Sequence, residues 1–368
     1  MKQIFKLKRI WLLTLFPLSV LLVLLARLNN VWVEKFYHPF VYKPLAFVIG
    51  SVVSLFPFSV TEVVFVLLVL AVIAYLAITI TRAIKQKTVK ASLLRLLVNT
   101  LCAGAVTLFL FELCMGLNYY RYEIKDYLGF EIKNHTKAEL YNLCDLLITD
   151  MNQSRKQLKN DQNGAAMLQS ESMYEVSLAA KEAYSELSED IPVLKAANIR
   201  NKPLVSSKLF SMVLTTGIYV PFTFESNINV DVPKHTIPAT MCHELTHYRG
   251  FMRENEANFL GYLACMKSDR ADFKYSASLH AFGYAFTKLY DEDAAAAQAL
   301  AKKLDPNIIT DIAVEDEYWD GYRDTVISDV SSEIYEGYLG SNGQSSGLKS
   351  YGEMLDLLLS YYSSINRI

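Results

Sequence analysis

The sequence predicts a mainly helical membrane protein: three membrane-crossing helices, then an α+β domain outside the cytoplasm with a small β-sheet. Three observations predict it. Three long apolar runs fall in the first third of the chain. Lys and Arg gather on one side of those runs. Beyond them apolar residues recur at helical spacing, except in one stretch rich in β-branched and aromatic residues. Of 368 residues, 52% are apolar, high for a water-soluble chain. The net charge of −2 offers nucleic acid no basic surface, so a nucleic-acid partner is excluded. The expected division is a membrane anchor over 1–118 and a second domain over 119–368.

The membrane part reads in order. A basic start, Lys2 to Arg9, precedes an apolar run from Ile10 to Ala26. The flank Arg27-Leu28-Asn29-Asn30 holds no small-residue cleavage site, so 10–27 is an uncleaved first membrane helix. Trp32 to Tyr42 is aromatic-rich, as at a membrane surface. The run 45–56 between Pro44 and Pro57 is too short to span and reads as interfacial or re-entrant. Ser59 or Thr61 then caps a second membrane helix over 60–81. Arg82, Lys85, Lys87, Lys90 and Arg95 make a basic loop before the third, over 96–116. Glu112 near its far end falls at headgroup depth. Basic loops stay in the cytoplasm, so the N-terminus and the 82–95 loop lie inside and everything after Gly116 lies outside the cell membrane. Asn118 to Tyr122 reads as an outer aromatic anchor.

Thr136-Lys137-Ala138-Glu139 is a capping box that opens a helix with Leu140, Leu143, Leu146 and Leu147 on one face. Gln153 to Gly164 is a polar turn, and Met173 to Leu187 a further helix. Within Pro203 to Val232, Leu209 to Leu214 and Gly217 to Glu225 read as short strands. Pro221 cannot donate to a ladder, which argues for an edge strand. Helices return over Ser276 to Tyr290, Ala294 to Leu304 and, as one long element, Trp319 to Leu339. Ser341 to Gly347 is a flexible loop before a last amphipathic helix, and Tyr351 at its start is either a hydrogen-bond donor over the cleft or a core tyrosine. Five cysteines form no C-x-x-C; Cys242 and Cys265 read as buried thiols, with a bridge between them as the alternative.

The chemistry sits in His243-Glu244-Leu245-Thr246-His247. Residues i and i+4 lie one turn apart on one helix face, so both imidazoles can hold one metal ion, with Glu244 beside them as a base. Thr236 or Thr240 is the expected cap, and Pro238 suits the first turn. A zinc site needs a third protein ligand, and Glu254 and Glu256 are the candidates. On an unbroken helix Glu254 would lie about 10 Å too far along the axis. The helix must therefore stop, at Gly250, and the chain fold back into a second helix from about Met252. There Glu254 and Glu256 point about 160° apart, so one alone can face the metal.

Glu254-Asn255-Glu256-Ala257-Asn258 resembles the E-x-x-A-[DN] segment of gluzincin metallopeptidases. That resemblance implies a zincin-like fold, Zn2+ as cofactor, Glu254 as third ligand with Glu256 in reserve, and Asn258 orienting the site helix. The whole chain also resembles a family of bacterial three-pass membrane proteins of unknown function. The matching stretches are Phe56 to Ser59, Gly116 to Tyr119, Gly217 to Glu225, Ile237 to Asn258 and Ser350 to Gly352. That family resemblance implies a membrane-anchored zincin but no substrate; the site itself reads as a zinc metallopeptidase with Glu244 as catalytic base and a peptide or protein substrate. Tyr219, Val220 and Phe222 are the expected strand on which substrate is laid. Glu225 is a candidate acid behind the site, and His280 a candidate oxyanion donor or simply a packed side chain. The competing expectation is a non-catalytic scaffold that binds peptide or a partner.

Overall fold

The computed structural model describes residues 8–368 apart from 198, 343 and 345–349. Most of the loop expected over 341–347, and the side chain of Tyr351, lie outside what is described, as do the first seven residues. Among the described residues three helices are long and apolar enough to cross a membrane: Arg9–Leu28, Val60–Lys85 and Val89–Cys114. The first comprises a 3-10 turn and α1 (Leu15–Leu28). A π-helical stretch, Val33–Tyr42, leads into α2 (Lys43–Val53). The others are α3 (Val60–Lys85) and α4 (Val89–Cys114). Ser59 caps α3 by accepting from the Glu62 amide. The most apolar stretch of α3 buries nothing against the protein, as a helix clothed in lipid should. The third run thus starts seven residues earlier than its apolar core suggested, because Val89 to Arg95 continue the helix past the basic loop.

The aromatic stretch after α1 corrects the sequence reading. Instead of lying wholly at a lipid surface, it turns Val33, Tyr37, His38 and Tyr42 inward into the main core, while Phe36 and Phe40 stay exposed. In α2, Ala46 and Gly50 face the protein, and Phe47, Val48 and Val52 face out. Nor is Asn118 to Tyr122 a lipid anchor: Asn118, Tyr119 and Arg121 are buried. The Arg121 guanidinium pairs with Glu34 at 2.9 Å and stacks over the Phe251 ring. A charge that needs a buried partner folds inward with it.

After α5 (Ile124–Leu128), α6 (Lys137–Arg155) begins at the expected capping box, Thr136 with Glu139. The elements that follow are α7 (Met173–Asp190), β1 (Lys202–Pro203), α8 (Ser207–Met212), β2 (Gly217–Val220) and β3 (Glu225–Ile228). Leu209 to Leu214 is therefore mostly helix, not strand. The Glu62 carboxylate accepts from the Val205 and Ser206 amides and supplies the helix start that the apolar pattern hid. The sheet has the order β1-β3-β2: β1 runs parallel to β3 and β2 antiparallel, with Gly217 opposite Ile228 and Val220 opposite Glu225. That leaves β2 at an edge.

Six helices of α9 (Ile237–Tyr248), α10 (Glu254–Lys267), α11 (Ala271–Glu292), α12 (Ala294–Ala301), α13 (Pro306–Asp320) and α14 (Val326–Ser341) precede the last, α15 (Ser350–Ser364). The long helix expected over Trp319 to Leu339 is two. Asp324 takes a left-handed φ of 55°, and Thr325 and Ser328 form a fresh capping box. The core is built on α10, which packs between α9, α7 and α15 and has eleven buried residues.

Candidate metal centre

Helix α9 carries the motif. Neither expected threonine caps it: Thr236 Oγ1 donates to the Pro233 carbonyl, and Ser276 Oγ accepts from the Ala239 amide instead. Pro238 sits in the first turn, as expected. At the far end Gly250 takes φ +82° and stops the helix, where any side chain would also strike His38. The freed carbonyls are not left to water. Arg121 Nη1 donates to the Arg249 and Gly250 oxygens, at 3.3 and 3.2 Å. The Tyr42 hydroxyl lies 3.0 Å from the His247 oxygen and 3.1 Å from that of Tyr248. Both residues come from the membrane-proximal part of the chain.

The reversal delivers Glu254, first residue of α10, to the histidines. His243 Nε2 lies 3.1 Å from His247 Nε2 and 3.2 Å from Glu254 Oε2, and His247 Nε2 lies 3.7 Å from Glu254 Oε1. Among the described residues this is the one His/Cys/Asp/Glu group in which three donor atoms lie within 4.8 Å of one another. The two helices cross tightly at Gly261, where a Cβ would come 3.0 Å from the His243 amide nitrogen. Glu256 is turned away: it accepts from the Ile124 amide at 2.7 Å and pairs with Arg253 at 3.1 Å.

The outer ring nitrogens fix the tautomers. His247 Nδ1 faces the Phe251 carbonyl at 2.9 Å, an acceptor only, so Nδ1 donates and Nε2 keeps a lone pair. His243 Nδ1 faces Asn258 Oδ1 at 2.7 Å and reads the same way. Two imidazole lone pairs and a carboxylate then point at one another, an arrangement that a cation between them relieves. The donor set is two nitrogens and one oxygen, which suits zinc or a similar divalent ion.

The proton balance agrees. Burial opposes charge on His243, but the hydrogen bond and charge of Glu254 override it and hold its pKa up at about 9. Burial pushes Glu254 the other way, and His243 with His247 brings it down to about 2. Burial lowers His247 to about 4, helped by the charge on His243. Without metal, one proton on His243 fills the cation's place. Glu244 lies alongside; burial, then the Glu254 charge, raises it to about 8.

These residues open into a cleft of about 690 Å³. Gly217, Ile218, Tyr219 and Phe222 line one wall and Ser331, Tyr335 and Tyr338 of α14 the other. Phe222 is exposed at the rim, and Tyr219 is buried with its hydroxyl 3.1 Å from that of Tyr42. Val220 is not part of the lining. Gly217 approaches so closely that a Cβ would stand 2.7 Å from Glu244 Oε1. His280 lines the same cleft with its side chain exposed and packs edge-on against Tyr284. Glu225 does not back the site. Its carboxylate accepts from the Val60 and Thr61 amides at the start of α3, at 3.0 and 2.6 Å, and pairs with Lys202 at 2.5 Å. Glu112 is buried at the end of α4, and all five cysteines are free. Sequence reasoning missed Tyr335, which hydrogen-bonds Glu254, and also Tyr42 and Arg121. Chain spacing carries no signal for contacts across so many residues.

Among the described residues, the fold and site define a mainly helical protein with three apolar helices of membrane-crossing length and a His–His–Glu cluster, largely buried, at the bottom of a cleft. The family model described as a protein of unknown function (DUF3810) matches residues 37–359, and the chain belongs to that family. No curated protein and no solved structure matches it.

Proposed function

We propose that the protein is a membrane-anchored, zinc-dependent peptidase of gluzincin type, its site held outside the cytoplasm. One observation carries the reading: three metal-ligating atoms converge at the bottom of a cleft, with Glu244, the acid of H-E-x-x-H, beside them. His243, His247 and Glu254 would hold the ion, and Asn258 and the Phe251 carbonyl orient the two rings. Bound there, zinc would polarise a scissile carbonyl and acidify water to near neutral pH. Glu244, beside the cluster, would act as the base that takes a proton from the attacking water and returns it to the leaving amine. Its high pKa without metal suits a group that must carry a proton, and a cation alongside favours the ionised form that starts the cycle.

The substrate backbone would lie along the outer edge of β2, where Gly217 and Ile218 border the cleft beside Tyr219, whose backbone bonds the Glu244 carboxylate. A binding scaffold would use the same edge but has no need of Glu244. The test uses the full-length protein with a quenched-fluorescent peptide library. Glu244→Gln should keep zinc and lose hydrolysis by a factor of about 10³ or more. His243→Ala should lose both, and hydrolysis at the wild-type rate by Glu244→Gln contradicts the mechanism.

A further inference from the structure

Both walls of the cleft stand on the outer ends of the apolar helices. On one side the sheet rests on α3: Glu225 accepts the first two amides of that helix, and Glu62 of α3 accepts the Val205 and Ser206 amides. On the other side α14 rests on α1 and α4. Tyr338 packs edge-on against Phe111 and bonds the Tyr119 hydroxyl at 3.0 Å, and Arg27 Nη2 donates to the Ser341 carbonyl at 3.3 Å. Phe111 and Met115 themselves line the cleft. From Arg95, the last basic residue of α4, to Met115 at its end the chain rises about 30 Å, the thickness of the hydrocarbon layer. The floor of the cleft therefore reaches the outer edge of the lipid, and no flexible stalk separates the metal ligands from it.

The surface around the mouth agrees. On α14, next to the side that carries Ser331, Tyr335 and Tyr338 into the cleft, Val326, Val330 and Ile334 recur every fourth residue and are 79%, 50% and 68% exposed. Across the mouth Phe222 is 45% exposed. An apolar rim of this kind is costly in water and is covered where it meets lipid or an apolar chain. Continuing the peptidase reading, we infer that the substrate is the juxtamembrane segment of a membrane-anchored polypeptide, entering the cleft at the bilayer surface between α14 and the sheet.

Depth, rather than mere confinement to the membrane, distinguishes this from a peptidase that reaches out into solution. The full-length protein, with a photo-crosslinking phenylalanine analogue in place of Phe222, is reconstituted in phosphatidylcholine vesicles. It is paired with synthetic peptides that share one membrane helix of about 20 apolar residues and one apolar test segment. They differ only in a Gly/Ser spacer of about 5 or about 40 residues, which sets the segment at the surface or roughly 35 Å away on average. The expected result is labelling of the short-spacer peptide about tenfold above the long one, as effective concentration falls with spacer length. Labelling of the long-spacer peptide alone, or of neither, overturns the inference. Labelling is read apart from cleavage. A short-spacer peptide that is labelled but never cut, with Glu244 intact, supports the inference and sinks the peptidase reading instead.

Discussion

At the residue scale the centre is governed by where protons and lone pairs lie. His243 holds a proton up to about pH 9 without metal, so a metal ion must displace it. Below that pH the apparent affinity should rise at least tenfold for each unit of pH, with at least one proton released per ion bound, from His243 and, below about pH 8, from Glu244 too. Calorimetry between pH 5 and 8, in buffers of different ionisation enthalpy, checks this. The same shift sets the stability of the metal-free protein. A histidine raised from 6.5 to about 9 contributes stability fully below about pH 6.5, and that contribution is lost as pH rises through 9. Glu254, lowered to about 2, contributes above about pH 4.5 and loses its part only as pH falls through 2. Gly217 gives a cleaner mutational handle, since it leaves the ligands alone. Gly217→Ala puts a methyl group against Glu244 and Thr240 and should cut hydrolysis about tenfold or more while metal content stays at one per chain.

At the element scale the site depends on α9 and α10 meeting at one fixed angle. Gly261 permits the close crossing; Gly261→Leu should push the two helices apart and weaken metal binding, measured by competition with a chelator. The C-terminal end of α9 is held from outside by Arg121 and Tyr42. Arg121→Met strips the partner from Glu34, which is only 14% exposed, and should cost about 3–5 kcal/mol, read as a lower midpoint of thermal unfolding. Much at this scale was legible in the sequence. The stop at Gly250, the return of Glu254 and the opposed direction of Glu256 all follow from helix geometry and one glycine. The helix α8 and the break between α13 and α14 were not legible. One is started by Glu62, far away in the chain, and the other by a left-handed Asp324, a conformation that composition does not announce.

At the scale of the whole molecule, the membrane-proximal chain and the site share one core. The run of apolar residues made three crossing helices readable, but a lipid-facing aromatic and a core-facing aromatic look alike in a sequence. So Val33, Tyr37 and Tyr42 were placed at the bilayer surface when they are at most 3% exposed inside the protein. Burying side chains of that size contributes about 1.5–3 kcal/mol each, which across three is comparable to the whole net stability of a domain. A fragment that begins at Tyr119 loses all three together with Glu34. It should precipitate or unfold, whereas a fragment keeping residues 30–56 should hold more structure by circular dichroism. A fragment from Tyr119 as stable as the full chain would contradict this placement. The same continuity explains why a cleft this far along the chain opens at the foot of the membrane helices.

The central claim is that His243, His247 and Glu254 form one metal site that excludes Glu256. The most direct measurement is metal content by mass spectrometry on the full-length protein beside Glu254→Gln and Glu256→Gln, each of which keeps the shape of the side chain. One zinc per chain, kept in Glu256→Gln and lost in Glu254→Gln, is the expected result. No bound metal in the unaltered protein, or equal retention in both variants, would contradict the claim.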